Sequence, residues 1–276
     1  MAITVKTNTA VGQALTDLSK TSRALGRSFE RISSGKRIAR AADDAAGLGV
    51  AENLRAASTS ASVAARNTND GISANSIAEG ATNEVGNILV RMRELAVQSA
   101  SETLGSSERS YAQTEFAALK TEITRISEVT EFNGTLLTNG STTALDVQVG
   151  INNTSNDRIT VEFGNLSLAG SALALTAAGV TTSASAGTAL GLIDTAIDTL
   201  NGYRATYGAT ENRLNSALSN TEAFIETTQA AESNIRDADF GAETSQLAAN
   251  QILQQAGVSI LSQAKQVNQA AISLLN

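Results

Sequence analysis

Proline, cysteine, histidine and tryptophan are all absent from the 276 residues, and aromatic side chains make up only 3% of the chain. Each absence excludes a class of chemistry. Without cysteine there is no disulfide, no thiolate nucleophile and no iron–sulfur cluster. Without histidine there is no Ser-His-Asp triad, no imidazole general base and no zincin-type helix. Without proline, nothing interrupts a long helix from inside. The 42% hydrophobic content is mostly Ala, Leu, Ile and Val. That composition suits long helices packed side by side rather than an enzyme built around a pocket.

Charge is scarce and unevenly placed. The net charge is −7, which argues against nucleic acid as a partner. Residues 1–44 carry eight Lys and Arg against four acids, net +4, and the other 232 residues carry twelve against 23, net −11. From Thr244 to Asn276 the single charged side chain is Lys265. Two uncharged runs, Thr244–Ala264 and Phe163–Ile193, raise the question of a membrane. Gln246, Asn250, Gln251, Gln254, Gln255 and Gln263 interrupt the first, and Gly, Ser, Thr and Ala fill most of the second. A spanning helix needs about 20 predominantly apolar residues, so no membrane insertion is expected. The first fifteen residues lack the compact apolar stretch of a secretory signal.

What is present is a heptad pattern. Leu15, Leu18, Ser22, Leu25, Phe29 and Ile32 follow spacings of 3, 4, 3, 4 and 3 until Gly35 ends the run, a coiled-coil seam with one polar substitution. Ala74, Ile77, Ala81, Val85, Ile88, Met92 and Leu95 form a second seam, and Phe116, Leu119, Ile123 and Ile126 a third. Leu190, Ile193, Ile197 and Leu200 form a fourth, continued in phase by Tyr207, Leu214, Leu218 and Ile225. The last runs through Leu253, Ala256, Ile260, Gln263, Val267, Ala270 and Leu274. Two apolar positions in seven make narrow seams, and small Ala residues on them allow close helix approach.

Between Asn133 and about Gly187 the period changes from helical to alternating. Leu145–Val149 and Arg158–Phe163 each alternate, and the loop Gly150–Asp157 between them holds three Asn. These predict a β-hairpin. Residues 164–187 are a Gly/Ser/Thr/Ala run, read as irregular, outermost and tolerant of change. The predicted fold class is therefore mainly α: long antiparallel coiled-coil-like helices from both chain ends, with a small β-hairpin-containing insertion.

No catalytic constellation stands out, and no cofactor or metal is expected. Ser33-Ser34-Gly35-Lys36 lacks the upstream glycine and following hydroxyl of a P-loop. Asp43-Asp44 and Asp237-Ala238-Asp239 place acids at helix starts, where capping and the helix dipole account for them. Asn133, Asn139, Asn152, Asn153 and Asn165 each begin an Asn-x-Ser/Thr tripeptide, which a segment rich in these residues produces by chance.

Five motifs carry a family likeness. Ser33-Ser34-Gly35-Lys36-Arg37-Ile38 with Ala41-Ala42-Asp43-Asp44-Ala45-Ala46-Gly47-Leu48 resembles the N-terminal signature of bacterial flagellins. Arg93–Ala100 and Glu131-Phe132-Asn133-Gly134 resemble two further signatures, and Ile235–Phe240 and Ile252–Gly257 two C-terminal ones. The likeness covers roughly residues 1–140 and 190–276 in the family's order, and implies a flagellin with a reduced variable region.

The resemblance implies a self-assembling subunit of the flagellar filament that serves swimming motility. It likewise implies unfolded export through the flagellar type III channel and an extracellular location. Residues 1–44 with 236–276 would form the inner helical pair of the filament core. Residues 45–137 with 188–235 would form a helical bundle, and 138–187 the hairpin and a variable surface segment. Leu15, Leu18, Leu25, Phe29, Ile32, Leu253, Ile260, Val267 and Leu274 would then be subunit-interface residues. Implied partners are further copies of the chain, flagellar cap and hook-junction proteins, an export chaperone at the C-terminal helix, and a vertebrate Toll-like receptor. Arg91, Leu95 and Glu115 match the receptor-contact positions, with Val90 where the family has Gln. Two rivals are a hook–filament junction protein of the same superfamily and a cytoplasmic chemoreceptor-type coiled coil. The second would need one uninterrupted helical hairpin.

Overall fold

A computed structural model describes residues 9–168 and 173–273. Helix α1 spans Thr9–Ser34, α2 Ala45–Ala100, α3 Ser106–Val129, α4 Ser183–Arg236 and α5 Phe240–Ser273. Short strands β1 (Glu131–Phe132) and β2 (Thr135–Leu136) pair through the turn Asn133-Gly134. The hairpin expected from alternation forms as β3 (Ala144–Gln148) and β4 (Arg158–Glu162), antiparallel, with Ala144 opposite Glu162 and Gln148 opposite Arg158. The chain divides into two units: residues up to 57 with those from 227 onward, and residues 58–226.

The helices begin and end where the sequence supplies caps. Gly35, at φ +69°, takes the left-handed conformation that closes α1 without a Cβ clash. Asp44 Oδ1 accepts the Gly47 N–H at 2.8 Å, and Asp239 Oδ1 accepts those of Gly241 and Ala242 at 2.8 and 3.1 Å. Both are N-caps, satisfying donors that the first helical turn leaves free. Asp43 instead accepts the N–H groups of Arg40 and Ala39. The Arg40 N–H above all holds its carboxyl below the usual carboxylate range. At the end of α2, Ser183 Oγ donates to the Ala100 carbonyl at 2.7 Å, and Arg109 donates to those of Ser99 and Ser101 at 2.9 and 2.8 Å.

Residues 58–226 hold two hydrophobic clusters. In the first, Val85, Leu89, Met92 and Leu95 of α2 meet Phe116 and Ile123 of α3 and Ile193 and Leu200 of α4. In the second, Ala74 and Ala78 of α2 and Tyr207 and Leu214 of α4 are covered by Ile159, Val161 and Phe163 from the hairpin. Tyr207 is buried, and burial pushes its phenol pKa up. Its oxygen accepts the Gly164 N–H at 2.8 Å. A Cβ on Gly164 would sit 2.4 Å from the Tyr203 ring, so only glycine lets the backbone pass this close to α4.

The run 164–187 differs from its expected role as an outermost, tolerant segment. Leu166, Leu173, Leu175 and Val180 are buried to within 1% and belong to the first cluster. The segment is also tied by polar contacts. Lys120 Nζ donates to the carbonyls of Thr176 and Ala178 at 2.7 and 3.2 Å, its pKa lowered by burial. Gln113 Oε1 accepts the Val180 N–H at 2.6 Å. Five large apolar side chains among many small ones suffice to seat the strap, because Ser, Thr, Ala and Gly add little bulk to lift it off.

Candidate interaction surfaces

Helices α1 and α5 pack against one another. Arg31 lies 3.7 Å from Glu243, and Leu18 lies against Gly257, so the pair is antiparallel. The inward face of α1 carries Val11, Ala14, Leu18, Thr21, Leu25, Ser28 and Ile32. That of α5 carries Glu243, Leu247, Asn250, Gln254, Gly257, Leu261 and Ala264. Both keep a strict 3–4 spacing, and both bury polar side chains: Ser28 is 3% exposed and Asn250 4%.

The intrachain seams are therefore phased differently from the hydropathy seams. Leu18, Leu25 and Ile32 are shared by both, but Leu15 and Phe29 are exposed, at 50% and 52%. On α5 the expected stripe of Leu253, Ala256 and Ile260 faces away from α1, with Leu253 and Ile260 each 57% exposed. Ile252 and Val258, at other angles around the same helix, are exposed as well. The side chain of Val267 and the whole of Leu274 lie outside the described residues. Periodicity alone selects the most apolar stripe. On α5 the helix pair buries the stripe with smaller and hydrogen-bonding side chains and leaves the more apolar one outside.

The two chain ends also meet where their helices break. Lys36 and Asp237 pair as an antiparallel bridge. The Arg236 carbonyl accepts the N–H groups of Arg37 and Ile38 at 2.7 and 3.4 Å, the Ile235 carbonyl accepts Arg37 Nη2, and the Gly35 carbonyl accepts the Ala238 N–H at 2.9 Å. The Arg236 side chain is 11% exposed; its Nη1 lies 2.8 Å from Glu52 Oε1 and 3.8 Å from Glu232 Oε1. No earlier sequence motif marked this residue beyond its place in Ile235–Phe240.

On residues 58–226, Arg91 and Glu115 are brought together. Arg91 Nε lies 2.8 Å from Glu115 Oε1 across α2 and α3, and Nη1 lies 2.8 Å from Glu94 Oε2. These carboxylates, Glu115 first, raise the guanidinium pKa, although a pair this exposed is screened by water and salt. Leu95 does not share that surface. It is buried in the first cluster, so its side chain supports the helix pair from beneath. A cleft of about 850 Å³ separates the loop 149–159 from Asn212, Arg213, Ser216 and Asn220 of α4. Amides and hydroxyls share its lining with apolar side chains such as Ile151, Ile159 and Phe224, and Asp157 is its one carboxylate.

These features define a structural protein of paired end helices that works through contacts. Residues 5–143 match the bacterial flagellin N-terminal helical region, and residues 190–275 the C-terminal one. A flagellin of Halalkalibacterium halodurans is 40% identical over 249 residues, 90% of this chain and 91% of that one. Flagellin A of Vibrio cholerae is 33% identical with 100% of both chains covered. The crystal structure of Bacillus cereus flagellin aligns with a TM-score of 0.50 at 31% identity, over 56% of this chain and 88% of that one. The chain belongs to the bacterial flagellins. It is a structural subunit of the flagellar filament, a polymer of identical subunits outside the cell. The junction-protein and chemoreceptor readings are not favoured, because the likeness to flagellins runs through both chain ends. Among the described residues no helix is long and apolar enough to cross a membrane.

Proposed function

We propose that the filament is built by burying the outward faces of α1 and α5 between copies of the chain. The observation that carries this reading is α5 itself. From Thr244 onward it holds one charge, Lys265, and it exposes Ile252, Leu253, Val258 and Ile260 at different angles around its axis. A helix apolar on more than one side needs neighbours on more than one side, and α1 covers only one. The remaining neighbours are further copies, with Leu15 and Phe29 of α1 contributing to the same layer. Residues 1–44 and 236–276 then form the inner core of the filament. Subunit contacts carry motor torque, and small shifts between neighbours give supercoiled forms that drive swimming. The chain reaches this place by unfolded export through the flagellar type III channel. An export chaperone covers the C-terminal helix on the way, and cap and hook-junction proteins contact the ends of the polymer. Negative-stain microscopy of protein seeded with filament fragments tests the assembly reading. Micrometre-long tubes are expected, and short rods or dimers would overturn it.

A second surface concerns receptor recognition. Arg91 and Glu115 form one exposed, ion-paired patch on neighbouring helices, as the flagellin resemblance implies for a Toll-like receptor contact, while Val90 adds an apolar side chain where the family has an amide. Soluble monomer is expected to activate the receptor, Arg91→Ala to weaken activation several-fold, and intact filament to be nearly inactive. Equal activity of monomer and filament in a reporter-cell assay would remove this patch from consideration.

A further inference from the structure

We infer that Arg236 is a positioning residue: it sets the direction in which α5 leaves α4, and assembly depends on it more steeply than the folding of residues 58–226 does. The inference rests on the assembly reading above. A helix end leaves its last four carbonyls without intrahelical partners. The last two of α4 are taken by residues about 200 positions away in the chain: Arg37 Nη2 serves Ile235, and the Arg37 and Ile38 N–H groups serve Arg236. The return bond, Ala238 N–H to Gly35 carbonyl, closes the clasp. The break between α1 and α2 is thus the cap of the break between α4 and α5.

The Arg236 side chain adds direction to that cap. Its guanidinium reaches Glu52 on α2 and lies near Glu232 on α4, while Nε is buried with no hydrogen-bond partner. An ion pair whose carboxylate is half exposed, with an unmatched buried donor on the arginine, is a weak source of stability, and an unbranched apolar side chain fills similar space at less desolvation cost. What an apolar replacement lacks is the planar fork that ties the last residue of α4 to one carboxylate on α2. Three residues, Asp237 to Asp239, separate that point from α5. The 34 residues of α5 extend about 51 Å, so a 10° error at its start displaces its far end by about 9 Å. A local fold absorbs such an error, but a repeating interface along the whole helix does not.

The test compares the unsubstituted chain with Arg236→Met, Arg236→Lys and Glu52→Gln. The thermal transition of the monomer is expected to stay within about 2 °C for all four, since both clusters lie in residues 58–226. Seeded elongation is expected to fall at least tenfold for Arg236→Met, with Arg236→Lys and Glu52→Gln intermediate. Elongation of Arg236→Met at the unsubstituted rate would overturn the inference. So would a transition that drops in step with elongation, which marks a merely structural role. Amide exchange at Arg37, Ile38 and Ala238 gives a readout independent of assembly, and Arg236→Met is expected to accelerate it at least tenfold. If the unsubstituted chain does not elongate seeds, the assembly reading fails, and unchanged exchange at these amides refutes the clasp by itself.

Discussion

Removing Gln246–Asn276 is expected to abolish polymerisation while residues 58–226 keep their cooperative thermal transition. The deletion takes away most of the face that α5 presents to α1, including Leu247, Asn250, Gln254, Gly257 and Leu261. It also takes away the outward Ile252, Leu253, Val258 and Ile260. Fully burying one such side chain contributes roughly 1.5–3 kcal/mol. These four are each more than half exposed, so burying what remains contributes on the order of 3–7 kcal/mol per subunit of assembly. Interfaces that size do not survive the loss of their centre. The two hydrophobic clusters draw every member from residues 58–226 and lose no contact. Sedimentation after seeding reads the first effect and calorimetry the second. A truncated chain that still elongates seeds would place the interface elsewhere, and one without a transition would make α5 part of the bundle's stability.

Much of this arrangement is legible in the sequence, and what is not follows from how polar side chains are buried. The α4 seam of Ile193, Leu200, Tyr207 and Leu214 lies where its spacing puts it, fully inside. The hairpin lies where Leu145–Val149 and Arg158–Phe163 alternate. On α2, however, the apolar seam drifts: Ile77 is exposed while Thr68, Asn75, Thr82 and Ser99 are buried. Thr68 and Thr82 satisfy their hydroxyls on the carbonyls four residues back, at 2.8 Å each, so they enter a core at little cost. Asn75 crosses to the Tyr207 carbonyl at 3.1 Å, a pairing that hydropathy cannot register. Ser28 and Asn250 are hidden in the same way from a hydropathy reading, in the seam between the end helices. Arg236 is less visible still, since its partners Glu52 and Arg37 are set by tertiary contact and share no period with it. Leu95 shows the opposite limit: spacing placed it in a seam, resemblance placed it on a surface, and the structure buries it with Met92 and Phe116.

Deleting Ser171–Ser185 is expected to destroy the bundle, the reverse of what the composition of that run suggests. The deletion removes Leu173, Leu175 and Val180, each within 1% of full burial, and Ala178 beside them. It strips Lys120 Nζ of two carbonyls and Gln113 of its backbone donor, and removes the Ser183 hydroxyl from the end of α2. A single Leu→Ala in a packed core costs about 2–5 kcal/mol, against a total stability of about 5–15 kcal/mol for a domain. Losing three large side chains with their polar anchors therefore exceeds what the domain can absorb. The graded version is Leu175→Ala, expected to lower the bundle's Tm by roughly 4–20 °C at about 2–4 °C per kcal/mol. Thr181→Ala, at an exposed position of the same strap, is the control and should leave the Tm unchanged. Circular dichroism melting of the three proteins decides the matter. A Tm shift for Leu175→Ala no larger than that of Thr181→Ala, or filaments from the deletion protein, would return the segment to a dispensable surface loop. Because Leu173, Leu175 and Val180 come from a stretch with no charge and no helical period, such a melt measures how few apolar side chains are needed to turn a low-complexity run into core.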